Sequence, residues 1–349
     1  MVWAPKGRMK TRSSGAGGVV LRVRVATFYA AWKQMFGSLW VIRVPVDYDR
    51  GMGKTSASVD TRRCFSAGPA EAWVDAAAGG RLASLRVAGT ELLVGAEATS
   101  SATAWGSYPM VPWAGRIRHG RFRFAGRDVA MPVDRPPHAL HGTVLNRPWH
   151  WLDENRLGID LGPDWPFAGR VVQTVELEPD RLTLRLEVES LGEAFPAVVG
   201  WHPWWRRRLD DGTAARLVLP GGRMLLRDAE GIPDGRWVEP PPPGPWDDCF
   251  FALDEPPVLE WPGFGRLTLS SDCAFWVLFD EREHAICVEP QSGPPDAFNL
   301  LPEDGLPVVS RTAAGDRLFA VVTPDEPLVK TTTWTWTLDS ASESSPFSK

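Results

Sequence analysis

Residues 181–188 read Arg-Leu-Thr-Leu-Arg-Leu-Glu-Val, and no other stretch constrains the fold as tightly. Successive side chains of an extended chain point to opposite sides, so Leu182, Leu184, Leu186 and Val188 share one face and polar residues the other. That is the pattern of a half-buried antiparallel strand, and the turn Glu178-Pro179-Asp180 pairs it with the segment carrying Val175 and Leu177. The theme repeats at Arg81–Val87, at 91–94 beyond Gly89, at Arg121–Phe124, at 129–132 and at 266–269. Near the end, Thr333, Thr335 and Thr337 alternate with Trp334, Trp336 and Leu338. The 33 glycines and 32 prolines supply turns about every 8 to 12 residues. Only residues 27–35 show weak helical patterning. The expectation is an all-β chain built as a large antiparallel β-sandwich or barrel, with the proline run at 240–245 a loop inside it.

Composition narrows the class of partner. A net charge of -5 leaves no general basic footprint, which argues against nucleic acid. No apolar run approaches the roughly 18 residues that span a bilayer. Cys64, Cys249, Cys273 and Cys287 are widely spaced and form no CxxC pair, so they read as reduced structural cysteines of a cytoplasmic protein. Metal-ligand spacing is absent, and neither a metal nor an organic cofactor is expected. Eighteen tryptophans exceed what a core of this size requires. They are either an aromatic core or platforms for the apolar face of a sugar.

The two ends differ from the middle. Residues 1–62 carry Lys6, Arg8, Lys10, Arg12, Arg22, Arg24, Lys33 and Arg43, with no acidic residue before Asp47. This basic extension imitates a transit peptide but is a poor secretory signal, because Arg22 and Arg24 interrupt its one apolar region. It reads as a disordered extension or as an over-extended start, with Met52 a candidate true beginning. Residues 63–339 form the β-domain, and the Ser-rich 340–349 reads as a disordered tail.

The stretch Val288-Glu289-Pro290-Gln291-Ser292-Gly293-Pro294-Pro295-Asp296-Ala297 follows two apolar runs, Phe275–Phe279 and 285–288. Two prolines and a glycine read as the end of a strand, with Glu289 delivered at its mouth. Burial there can raise a carboxyl pKa into a catalytically useful range, although an isolated Glu at a strand end is ordinarily solvated. Three further stretches accompany it: Ser107-Tyr108-Pro109-Met110-Val111-Pro112-Trp113-Ala114-Gly115-Arg116-Ile117, then Ala139-Leu140-His141-Gly142, then Gly200-Trp201-His202-Pro203-Trp204-Trp205. In order and rough spacing the four resemble the aldose 1-epimerase (galactose mutarotase) family, over about residues 65 to 338.

The resemblance implies a many-stranded β-supersandwich acting on a free aldohexose of the glucose or galactose type, as a monomer or homodimer. Interconverting anomers requires a base at the C1 hydroxyl and an acid at the ring oxygen, and no cofactor. By the resemblance Glu289 is the base and His202 the acid, a histidine being able to give and retake a proton near neutral pH. Because Pro203 cannot continue a central ladder, His202 is expected at a strand end or bend. Arg116 and His141 match sugar-binding positions. Asp247, ahead of Phe250, matches a hydroxyl-binding Asp, with Asp248 as the alternative register. Gln291 has no assigned role, His138 reads as structural or rim, and His119, His150 and His284 match nothing functional. One departure is Trp204-Trp205 followed by Arg206-Arg207-Arg208. Three arginines beside the acid raise a hexose-6-phosphate 1-epimerase as the alternative, against a solvated loop. A non-catalytic carbohydrate-binding protein of the same fold is the other reading.

Overall fold

The structure, a computed structural model, describes residues 61–313 and 315–339. The basic segment up to residue 60, with its 27–35 stretch, and the tail at 340–349 lie outside the described residues. The first described strand, Arg62–Ala67, begins within one residue of the expected domain start.

Two large antiparallel sheets carry the fold. The first has eleven strands, ten of them in the order Arg62–Ala67, Ala70–Asp75, Arg81–Val87, Ser107–Met110, Gly200–Arg206, Ala285–Gln291, Phe275–Phe279, Asp247–Phe251, Arg223–Arg227 and Pro233–Val238. The eleventh, Thr90–Glu91, pairs beside Arg81–Val87. The second sheet runs His150–Trp151, Arg156–Asp160, Gly169–Glu178, Arg181–Ser190, Leu328–Leu338, Gly265–Ser271, Val258–Trp261, Arg216–Val218. As expected from the alternation, Leu182, Leu184, Leu186 and Val188 are all buried, and Arg181 pairs with Glu178 across the turn. Each such side chain contributes about 1.5–3 kcal/mol on burial.

The inner faces of the two sheets meet through tryptophan. Trp205 of the first packs on Trp334 of the second, with ring centroids 4.7 Å apart. Gln173, buried between the sheets, donates to the Gly80 carbonyl at 2.7 Å and accepts from Trp201 Nε1 at 3.2 Å, so its burial leaves no polar group orphaned. The strand expected at 91–94 is shorter. Glu91 turns its carboxylate back onto the backbone N–H groups of Leu85 and Leu93, both at 3.0 Å, and Leu93 then bridges to Trp205.

Two expectations about strand ends are overturned. Glu289 does not end its strand: Ala285–Gln291 continues past it, with Glu289 paired to Val277 and Pro290 to Trp276. His202 does not lie at a strand end either, since Gly200–Arg206 is a central strand and Pro203 pairs with Ser107 inside it. A missing N–H costs a ladder bond only where one is due. The neighbouring pairs hold each proline in place.

Candidate active site

The prolines shape the site. Gly200 lies opposite Gln291 and Trp204 opposite Cys287, which sets His202 across from Glu289. Neither Pro203 nor Pro290 offers an N–H, and the pairing between these strands is interrupted over this interval. Alternation sends Trp201 and Trp205 into the core, where both are fully buried, and turns His202 and Trp204 to the opposite face. Glu289 and Gln291, two residues apart, face the same way. All four line a cleft of about 640 Å³, a size suited to a small molecule.

On the cleft floor His202 Nε2 stands 3.1 Å from Glu289 Oε1, with side chains only 8% and 3% exposed. Burial is the main cause of both pKa shifts. His202 is lowered from 6.5 to about 3, first by desolvation and then by the charge of Arg81. Glu289 is pushed well above the usual carboxylate range by desolvation and then by Asp247, while the Gln291 hydrogen bond and Arg116 pull it back. The direction for the pair is therefore a neutral imidazole beside a neutral carboxyl, one proton held between them. Gln291 Nε2 donates to Glu289 Oε2 at 3.1 Å. Its Oε1 is a buried acceptor without a hydrogen-bond partner among the described residues.

His141 and Arg116 come together on a two-stranded ribbon in which Arg116 pairs with Leu140. His141 has a left-handed backbone, φ 60, and so does Gly142, φ 84. A Cβ on Gly142 would lie 1.9 Å from the Val111 carbonyl oxygen, so only glycine fits there. The turn aims the imidazole inward. Its Nδ1 accepts from the Gly115 N–H at 3.2 Å, and burial lowers its pKa well below 6.5. His141 is thus a neutral ring whose Nε2 carries the proton and can donate. Asp296 anchors this corner structurally, accepting from the Arg118 N–H at 3.0 Å and from Asn299 Nδ2 at 2.7 Å.

Arg116 Nη2 reaches within 3.7 Å of Asp247 Oδ2. Asp247 and Asp248 both line the cleft, but they differ in company. Asp248 is held by Arg227, whose Nε is 2.6 Å from Oδ1. Asp247 has only the longer contacts, to Arg116 and at 3.5 Å to Arg227, and burial raises its pKa.

The arginine run does not join this cleft. Arg206 pairs with Asp210 at 2.7 Å, Arg207 donates to the carbonyls of Arg282, Asp280 and Ala285, and Arg208 to that of Gly212. They line a neighbouring depression with Glu97, Glu283 and His284. The tryptophans are core for the most part: ten are buried, and among the described residues Trp204 is the one that lines the cleft.

Sequence reasoning passed over three residues here. Tyr108 is buried with its ring 4.9 Å from that of His202 and 5.9 Å from that of His141. It stands within the stretch 107–117 that carries Arg116, which was the available signal. His284, set aside by sequence, lines the cleft with its ring parallel to Trp204 at 6.4 Å. Cys287 completes a trio with His202 and Glu289 whose ligand-capable atoms lie within 4.8 Å of one another. No sequence spacing exposes it, because two separate strands contribute. His138 is buried and accepts from the His119 N–H at 3.2 Å, a structural role.

Comparison with known proteins agrees with this fold. The family model for aldose 1-epimerase matches residues 75–244, a span that holds Arg116, His141 and His202 and ends before Asp247 and Glu289. The uncharacterized protein YphB of Escherichia coli is 30% identical over 248 residues, covering 62% of this chain and 82% of that protein. Among solved structures, a galactose mutarotase-like protein from Clostridium acetobutylicum superposes with TM-score 0.67 at 17% identity, over 79% of this chain and 95% of its own. The galactose 1-epimerase of Lactobacillus acidophilus gives 0.60 at 15%, over 84% and 98%. At those identities the structures speak for the fold, and together with the relative matched over most of its length and the family model they show that this chain belongs to the aldose 1-epimerase family.

Proposed function

We propose that this protein is an aldose 1-epimerase that interconverts the α and β anomers of free aldohexoses by acid/base ring opening and reclosure. The observation that carries the reading is the buried contact between His202 Nε2 and Glu289 Oε1, 3.1 Å long, on the floor of a sugar-sized cleft. Glu289, as carboxylate, takes the proton of the C1 hydroxyl. His202, as imidazolium, gives a proton to the ring oxygen, and the bond between C1 and that oxygen breaks. Rotation about C1–C2 presents the other carbonyl face, and closure reverses both transfers. Each group contributes about 10² to 10⁴-fold.

Proton accounting supports the assignment. Ring opening leaves Glu289 protonated and His202 neutral, the form that burial favours. The reactive form differs by one proton transfer along an existing contact. The pair carries one proton at both ends of the cycle, so the solvent need not supply one. Arg116, which pulls the Glu289 pKa down, favours the reactive form, and the neutral His141 offers Nε2–H to a sugar oxygen. Asp247 and Gln291 Oε1 are the acceptors for sugar hydroxyls.

The acting unit is residues 63–339, working in the cytoplasm as a monomer or homodimer on a small-molecule sugar. The 6-phosphate alternative gains nothing from Arg206, Arg207 and Arg208, whose donors are engaged outside the cleft. The test is polarimetry with purified protein and fresh α-glucose or α-galactose. Mutarotation faster than the buffer rate in proportion to enzyme is the expected result. Sugar binding with no acceleration would favour the non-catalytic reading.

A further inference from the structure

Cys287 precedes Glu289 by two residues on the strand Ala285–Gln291, so its thiol points to the same face, and it stands opposite Trp204. It is fully buried, and no hydrogen bond occupies its sulfur among the described residues. A ring nitrogen of His202, Cys287 Sγ and a Glu289 carboxylate oxygen are mutually within 4.8 Å. Zinc bonds of about 2.0–2.3 Å place tetrahedral ligand atoms roughly 3.3–3.7 Å apart. The His202–Glu289 separation of 3.1 Å already approaches that, and the sulfur has at most about 1 Å to close. His202 and Glu289 line the cleft, and Cys287 is buried beside them. A thiolate and an imidazole select zinc over magnesium or calcium, which prefer all-oxygen sites.

We propose that the cleft floor is a site for a thiophilic divalent cation, zinc first among them, held by a His202 ring nitrogen, Cys287 Sγ and the Glu289 carboxylate, and that its occupation switches the epimerase off. Binding releases two protons to solvent, the one shared by His202 and Glu289 and the one on the thiol. The metal then holds the lone pairs that both proton transfers need. Binding stands on the geometry alone; the inhibitory consequence rests on the function proposed above.

The experiment uses the full chain after dialysis against a chelator. Zinc is titrated calorimetrically, cobalt(II) is added as a probe for thiolate-to-metal charge-transfer absorption, and mutarotation is followed at each zinc concentration. We expect one zinc per chain, a cobalt–thiolate band, and mutarotation that falls at least about tenfold at saturation and returns with chelator. Cys287→Ala should keep basal turnover, lose the cobalt band, and weaken zinc binding and inhibition by at least about 10²-fold. Cys273→Ala, at a buried cysteine outside the cleft lining, should behave as wild type in all three. Absent zinc binding and cobalt band in the wild type would overturn the proposal, as would an unchanged response in Cys287→Ala or activation by zinc. A Cys287-dependent cobalt band in a protein with no mutarotation at any metal level would keep the site and overturn the inhibition along with the epimerase reading.

Discussion

Arg81 is the residue whose replacement tests the architecture of the cleft most directly. It is 1% exposed at the start of Arg81–Val87, and its guanidinium reaches away from that strand. Nε donates to the Ala78 carbonyl at 3.3 Å, Nη2 to that of Ala102 at 2.7 Å, and Nη1 to that of Trp105. Its plane rests 4.2 Å from the Trp105 ring and 4.7 Å from that of Tyr108. Ala98, Thr99, Ser101, Thr103 and Ala104 in the clasped segment form one wall of the cleft. Burial lowers the Arg81 pKa to about 10 from 12.5, which converts to a residual desolvation cost of about 3 kcal/mol. Three charge-assisted bonds at about 1.5–3 kcal/mol each outweigh that cost by roughly 2–6 kcal/mol. Arg81→Met keeps the stem but leaves the three carbonyls without a donor. We expect a loss of about 3 kcal/mol in urea unfolding with the m-value unchanged. The KM for aldose should rise as the wall loosens, and kcat should not fall, because neither proton carrier moves and loss of the Arg81 charge eases protonation of His202. A loss below about 1 kcal/mol, or a fall in kcat at constant KM, would refute the reasoning.

Four other outcomes are expected. Glu289→Gln and His202→Asn should each lower kcat by at least about 10²-fold with circular dichroism unchanged, and near-native turnover in either would remove that residue from its role. The ordinary pKa values of 4.5 for Glu289 and 6.5 for His202 bracket a pH window in which folded and unfolded chains hold the same single proton on this pair. Below it the unfolded chain takes a second proton, and above it the unfolded chain holds none, so the pair's contribution falls on both sides. Glu289→Gln should therefore lessen the stability loss as pH rises above 6.5, and a loss equal to wild type would contradict the burial account. Free aldose should be preferred over its 6-phosphate, and Arg206→Ala and Arg208→Ala should leave that ratio of kcat/KM unchanged; a 6-phosphate preference abolished by either would reverse the reading. A chain beginning at Thr61 should fold and turn over like the full chain, retaining the Thr61 carbonyl that accepts from Ala76 N–H at 2.8 Å; insolubility would show that the basic segment belongs to the domain.

The sequence by itself determined the all-β class, because a period of two is a local property and burial reads it directly: Leu182 to Val188 alternate in the chain and alternate in the fold. It also named five residues that converge on the cleft, four of them through motifs whose order survives any folding detail. Composition could not say where the tryptophans go. Trp204 and Trp205 are neighbours, yet one lines the cleft and the other packs on Trp334, a division set by which face of the strand meets the second sheet. Local rules also misjudged Pro203 and Pro290, since a proline's cost depends on the bond its partner strand expects, and that partner is distant in sequence. Only the tertiary structure decided that His202 and Glu289 touch, that Gln291 steadies the base, and that Cys287 lies within ligand reach of both. These contacts follow from strand order across the first sheet, which is fixed by the packing of the whole domain and leaves no trace in the spacing of any one segment.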